Sequence, residues 1–203
     1  IEALAHHSFR AEQWGPATRL LRQAGDRARE RWANREAASL YEQTLVALSR
    51  LPGGQDRARE GLEIRARLRL ALIPLGDFRT VLPHLQAMDA DATTLGDERW
   101  LALIMAWRGE CLRAGGENAA AATAGERAIG MLRSQGGDAV DLAAASFQLA
   151  VTYAAQGRYR AAAQLLQHDF GTLVEREHGG ARDQVEIPAA RRLERVELAQ
   201  ADR

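Results

Sequence analysis

Residues 149–166 read LAVTYAAQGRYRAAAQLL. Leu149, Ala150 and Tyr153 close one amphipathic helix, Gly157-Arg158 breaks it, and Tyr159, Ala162 and Leu166 open a second at three- and four-residue spacing. The same turn, then a small residue, recurs at Glu12-Gln13-Trp14 before Ala17, Gly76-Asp77-Phe78 before Val81, and Gly116-Glu117-Asn118 before Ala121. Ala33-Asn34 before Ala37 is a fifth, half-spaced copy. Self-similarity at a fixed period marks stacked helical hairpins, each too small to bury its own apolar face. Ala37 to Val81 is 44 residues, Val81 to Ala121 is 40, Ala121 to Ala162 is 41, and Ala17 to Ala37 is 20. The unit is therefore one helix of about 20 residues and the repeat is a pair.

The spacing predicts an all-α fold: a right-handed α-solenoid of about ten antiparallel helices forming a single repeat domain over 1–203. The helices are expected at 2–13, 15–32, 35–51, 56–75, 78–90, 97–114, 118–135, 138–156, 159–177 and 183–202, with 181–203 a capping or incomplete terminal helix. Asp138 and Asn118 are read as N-caps. Four positions after each small residue a larger one fills the seam: Tyr41, Leu85 and Leu166. Gly125 holds that place in the third hairpin, which is therefore expected to pack less tightly.

Composition excludes several function classes. All 27 basic residues are arginine and are balanced by 27 acidic ones, so no net field draws nucleic acid or an anionic membrane. Charges interrupt every apolar run before the roughly 18–20 residues a membrane span needs. Without lysine there can be no phosphate loop ending in Gly-Lys-Ser/Thr. The single cysteine, Cys111, cannot form an internal disulfide, which fits a reducing cytoplasm. It reads as a buried, inert thiol. His6 and His7 are adjacent and point about 100° apart on a helix, so a structural or exposed role outweighs metal binding. Arg57, Arg59, Arg65, Arg67 and Arg69 are interleaved with Asp56, Glu60 and Glu63, so a salt-bridged helix face outweighs a phosphate-binding stripe. Most of Trp14, Trp32, Trp100 and Trp107 are assigned to packing. No catalytic constellation, cofactor or metal site is read.

The pattern resembles the tetratricopeptide repeat (TPR). The match is best at residues 18–51, through Leu21, Ala24, Gly25, Ala28, Ala37, Tyr41 and Leu45, and at residues 143–176. Gly109, Leu112, Ala121 and Ala128 make a third copy. The copy on Leu68, Leu72, Phe78, Val81 and Leu85 is weaker, because Arg69 stands where a small residue is expected. The family's period of about 34 residues is exceeded here by six to ten. A narrower likeness covers Leu4-Ala5-His6-His7-Ser8-Phe9, Leu20 through Ala28, Ala33 through Ala37, Tyr41-Glu42-Gln43 and Leu51-Pro52. These residues are similar to the start of the repeat region in large bacterial signalling proteins with an AAA- or STAND-type ATPase module, often alongside a class III adenylate or guanylate cyclase, and to large LuxR-type regulators. The start at Ile1, already inside a helical pattern, leads us to expect a segment of a longer chain.

The resemblance implies a non-catalytic, cytoplasmic interaction module whose partner is a protein, a peptide or another domain of the parent chain. The first helix of each hairpin would line a concave groove. Its candidates are Arg22, Asp26 and Arg29; Ala66, Leu70 and Ile73; Leu103, Ala106, Glu110 and Arg113; and Phe147 and Val151. The family's clamp for acidic C-terminal tails is missing its basic-plus-asparagine set, so chaperone-type tail binding is not expected; the groove is left to an amphipathic partner helix, to the chain's own last helix, or to simple repeat-to-repeat packing, which weighs at least as much. A stand-alone adaptor and the repeat region of a LuxR-type regulator are the alternatives.

Overall fold

Most of the helices end where a left-handed residue lets the chain turn back on itself. The computed structural model describes the backbone of residues 1–178 and side chains through Asp169. Over this range run α1 (Glu2–Arg10), α2 (Trp14–Glu30), α3 (Asn34–Ser49), α4 (Gln55–Leu72), α5 (Phe78–Leu95), α6 (Glu98–Ala114), α7 (Asn118–Ser134), α8 (Ala139–Ala155) and α9 (Tyr159–His178). A 3-10 turn, Ile73–Leu75, follows α4. The expected helix at 183–202 and the cap at 181–203 lie outside the described residues.

One closing geometry serves seven of the eight junctions. In each, the second or third residue past the helix donates its N–H five residues back: Gln13 to Ser8, Ala33 to Ala28, Asp77 to Leu72, Asp97 to Ala92, Glu117 to Leu112, Gly137 to Leu132 and Arg158 to Tyr153. The intervening residue has positive φ, as the motif requires. Five of these are glycines, but Glu12 (φ 56°) and Trp32 (φ 61°) carry side chains there, at a cost of about 1–2 kcal/mol each. The α3–α4 junction differs, because Pro52 cannot donate an amide and Gly53-Gly54 makes a wider loop.

Asp138 caps α8 as expected, its carboxylate accepting from Val140 N at 3.1 Å. Asn118 does not cap α7: it is the first helical residue, and Glu117 holds the cap position without a side-chain bond. Asp77 and Asp97 cap α5 and α6 instead, through Thr80 N (3.1 Å) and Trp100 N (3.0 Å). Helix α5 runs to Leu95, beyond the expected 90, because Met88 and Ala92 bury one face of its acidic, threonine-rich second half.

The helices pair as α2/α3, α4/α5, α6/α7 and α8/α9, with α1 against α2, and α2 lies beside α4 as α6 does beside α8. The landmark small residues Ala17, Ala37, Val81, Ala121 and Ala162 are all buried. One core cluster, from α2 to α6, is built of Tyr41, Leu62, Ile64, Leu68, Leu85, Met88 and Ile104. The second, from α6 to α9, is mostly alanine around Ile129, Leu132, Leu149 and Tyr153.

The third hairpin is not loosely packed. A Cβ on Gly125 would lie 3.0 Å from Leu149 Cδ1, and one on Gly109 would lie 3.1 Å from the Ala121 carbonyl. The glycines draw α6, α7 and α8 together, and Leu149 from the neighbouring hairpin takes the space a larger residue would have filled.

Candidate interaction surface

The exposed face of α2 and α4 is a charge lattice. Arg22 pairs with Glu60 at 3.6 Å, and Arg67 reaches Asp26 at 3.2 Å, joining the two helices across the repeat. Asp26 also accepts from the Tyr41 hydroxyl at 2.7 Å. Burial, then the hydrogen bond to Asp26 and its charge, push the Tyr41 hydroxyl's pKa well up, against the opposing pull of Arg29. Tyr41 therefore stays a neutral donor at physiological pH. Arg29 itself is exposed.

Farther along, the face turns apolar. Leu70 is 48% exposed and Phe147 50%, while Ala66, Ile73, Arg113 and Val151 are half-buried. Leu103, Ala106 and Glu110 are buried, so these three candidates serve the packing of α6 and are not open to a partner. The twelve candidates thus divide into a polar patch on α2, an aliphatic patch on α4, a closed stretch on α6 and an aromatic patch on α8.

Glu110 is buried because it holds Arg69. The Arg69 guanidinium donates from Nη2 to Glu110 Oε2 and lies over the Trp107 ring at 4.6 Å from its centroid. Residue 69, a misfit by the repeat pattern, therefore ties α4 to α6, and its Nε is buried without a partner among the described residues. Sequence reasoning missed this pair, although the separation of 41 residues is one repeat and was the available signal. Two others keep nearly the same step: Arg99 to Asp141 (3.0 Å) and His84 to Glu42 (3.0 Å), both 42 residues apart. Elsewhere the arginine run of α4 pairs as expected, Arg59 with Asp56 and Arg67 with Glu63.

Ser146, Asp169 and His168 meet between α8 and α9, but not in a catalytic order. The Ser146 hydroxyl donates to Asp169, and His168 Nδ1 contacts the same carboxylate at 2.7 Å, so both bond to Asp169 and not to each other. Nucleophile activation needs the imidazole between hydroxyl and carboxylate. Arg133 also donates to Asp169, at 3.0 and 3.1 Å. Burial pushes the Asp169 pKa up, but the hydrogen bonds from Ser146, His168 and Arg133 outweigh it and hold the carboxyl below its ordinary value.

Cys111 is buried, and burial followed by the Glu110 charge pushes its thiol up, against the pull of Arg69. His6 and His7 are exposed. Among the described residues there is no group of three or more His, Cys, Asp or Glu that could hold a metal ion, and no helix long and apolar enough to cross a membrane. Trp14 stacks edge-on with Phe9 at 5.6 Å and Trp100 with Trp107 at 6.0 Å, whereas Trp32 is 81% exposed.

These features define an all-α helical-repeat protein of TPR-like fold. No family model and no curated protein matches the sequence. Among solved structures it is similar to the apo form of RapI, with a TM-score of 0.62 at 12% identity over 88% of this chain. The chain spans about half of RapI, 53% of its length. It is also similar to TPR-like repeats of a putative kinesin light chain from Podospora anserina, with a TM-score of 0.51 and 16% identity over 87% of this chain and 94% of that one. For BtubC (BKLC) from P. vanneervenii the values are 0.50 and 15%, over 91% and 93%.

Proposed function

We propose that the chain is a non-catalytic interaction module that holds an amphipathic helix, from a partner or from another domain of its own parent chain, along the face of its first helices. The observation that carries this reading is the pair of exposed apolar side chains, Leu70 and Phe147, on the same set of helices as the charge lattice of α2. Such a helix would set its apolar stripe on the first and its polar edge on Arg22, Asp26 and Arg29. We assign the parent to the bacterial signalling proteins with an ATPase or nucleotide-cyclase module, on the strength of the N-terminal likeness, and the module's place to the cytoplasm.

Flanking coding sequence tests the parentage: absence of an ATPase or cyclase module overturns it and leaves the stand-alone adaptor. Where such a module is found, titration calorimetry of the separately expressed module against this domain is expected to show saturable binding. Leu70→Glu with Phe147→Glu should weaken it at least about tenfold. Undiminished binding overturns the groove assignment.

A further inference from the structure

A second surface lies along the edge where the hairpins turn, away from the groove. Two clefts adjoin there. One, of about 540 Å³, runs between the start of α3 and the turn after α4, with Arg35 and Leu75 on its walls. The other, of about 520 Å³, lies between the start of α5 and the end of α6, with Phe78, Arg79, Leu82 and Arg108 on its walls. Gly76 belongs to both. A Cβ there would meet nothing within 4 Å, so the saddle between the clefts is open.

The chemistry of the walls is consistent from one cleft to the next. Leu75 and Leu82 are 40% and 44% exposed, and Phe78 is half-buried behind them. Arg35, Arg79 and Arg108 are exposed and have no ion-pair or hydrogen-bond partner among the described residues, unlike Arg22, Arg65, Arg67, Arg69, Arg99 and Arg133. Asp77 accepts from Thr80 N (3.1 Å) and Thr80 Oγ1 (2.8 Å) and keeps its charge on the wall of the first cleft. Glu117 lines the second cleft, so the two carboxylates offset two of the three guanidiniums and the edge keeps a net positive charge. Three unpaired guanidiniums spread along an aliphatic trough call for spaced carboxylates on an aliphatic chain. A nucleic acid would instead want exposed aromatic faces beside the cations, and Leu75 and Leu82 supply none.

We infer that this turn edge is a second docking surface, and that its occupant is an extended peptide segment in which acidic and aliphatic residues alternate. The segment crosses three hairpins, seating aliphatic side chains beside Leu75 and Leu82 and its carboxylates on Arg35, Arg79 and Arg108. Neighbouring repeats are thereby read together, which one cleft alone could not do.

The test is fluorescence anisotropy with a short labelled peptide alternating leucine, glutamate and serine, titrated with the full chain. Saturable binding is expected, weakened by added salt and at least about tenfold weaker in Arg79→Glu/Arg108→Glu. Leu82→Glu, which leaves the arginines in place, should weaken it comparably. Circular dichroism of both variants should match the parent, since all three side chains are exposed. Leu70→Glu/Phe147→Glu should leave this binding unchanged. Absence of binding, equal binding of a glutamine-for-glutamate peptide, undiminished binding by the arginine variant, or loss in the groove variant each overturns the proposal. The groove reading stands or falls separately, on its own titration.

Discussion

Helix α6 packs against α4 of one neighbouring hairpin and, together with its own partner α7, against α8 of the next, and the buried parts of the two contacts use different chemistry. Toward α4 it offers Trp107 and Glu110, and the gap is filled by a long side chain, Arg69, with its charge paired and its plane on the indole. Toward α7 and α8 it offers Ala102, Ala106 and Gly109: within its own hairpin a methyl group on Gly109 would lie 3.1 Å from the Ala121 carbonyl, and between hairpins one on Gly125 of α7 would lie 3.0 Å from Leu149 Cδ1 of α8. One repeat unit can therefore stack on the next by filling a wide seam or by narrowing it. The period stays near 41 residues in both cases, so the fold constrains repeat length and leaves the seam's chemistry free.

The wide seam should break most easily. Arg69→Ala strands the Glu110 carboxylate inside the protein, and we expect a loss of about 3–5 kcal/mol in urea denaturation. The narrow seam should fail by overpacking: Gly109→Val has backbone on its far side and is expected to cost about 1–3 kcal/mol, with an unchanged transition midpoint refuting the close approach.

Asp169 makes the α7–α9 side sensitive to acid. Its carboxyl is held below the ordinary value in the folded state, so its contribution is fully present above the unfolded carboxylate pKa of about 4 and is lost as pH falls through the folded one. Asp169→Asn should flatten that part of the stability-against-pH curve between neutral pH and pH ~2, and an unaltered acid limb would count against the network. The smallest effect belongs to Arg99, whose side chain is 49% exposed: Arg99→Ala should cost about 1 kcal/mol or less, measurable as a small shift in urea midpoint.

Much of the architecture was legible because periodicity reports burial directly. Ala17, Ala37, Val81, Ala121 and Ala162 sit under neighbouring helices as their spacing required. What escaped was set by contacts between repeats, which no local window contains. Gly125 looked like a hole because the residue that fills it, Leu149, comes from the next hairpin. Arg69 looked like an intrusion because its partner is 41 residues away. The last residues of α5, 91–95, fell outside the expected helix; their Asp and Thr residues have low helix propensity, which burial of Ala92 overrides. For the candidate groove, the repeat resemblance put Leu70 and Phe147 on the face of the first helices, where both are exposed, but it could not show that Leu103, Ala106 and Glu110 are covered by neighbours.

The most direct test of the two-seam account is a double-mutant cycle on Arg69 and Glu110, using Arg69→Met, Glu110→Leu and the double variant, followed by urea denaturation. Each single change should cost about 3 kcal/mol or more, and the double variant should return to within about 1 kcal/mol of the parent, so that most of the two single costs is recovered as coupling. Single costs that simply add in the double variant would show that the pair is not what joins α4 to α6.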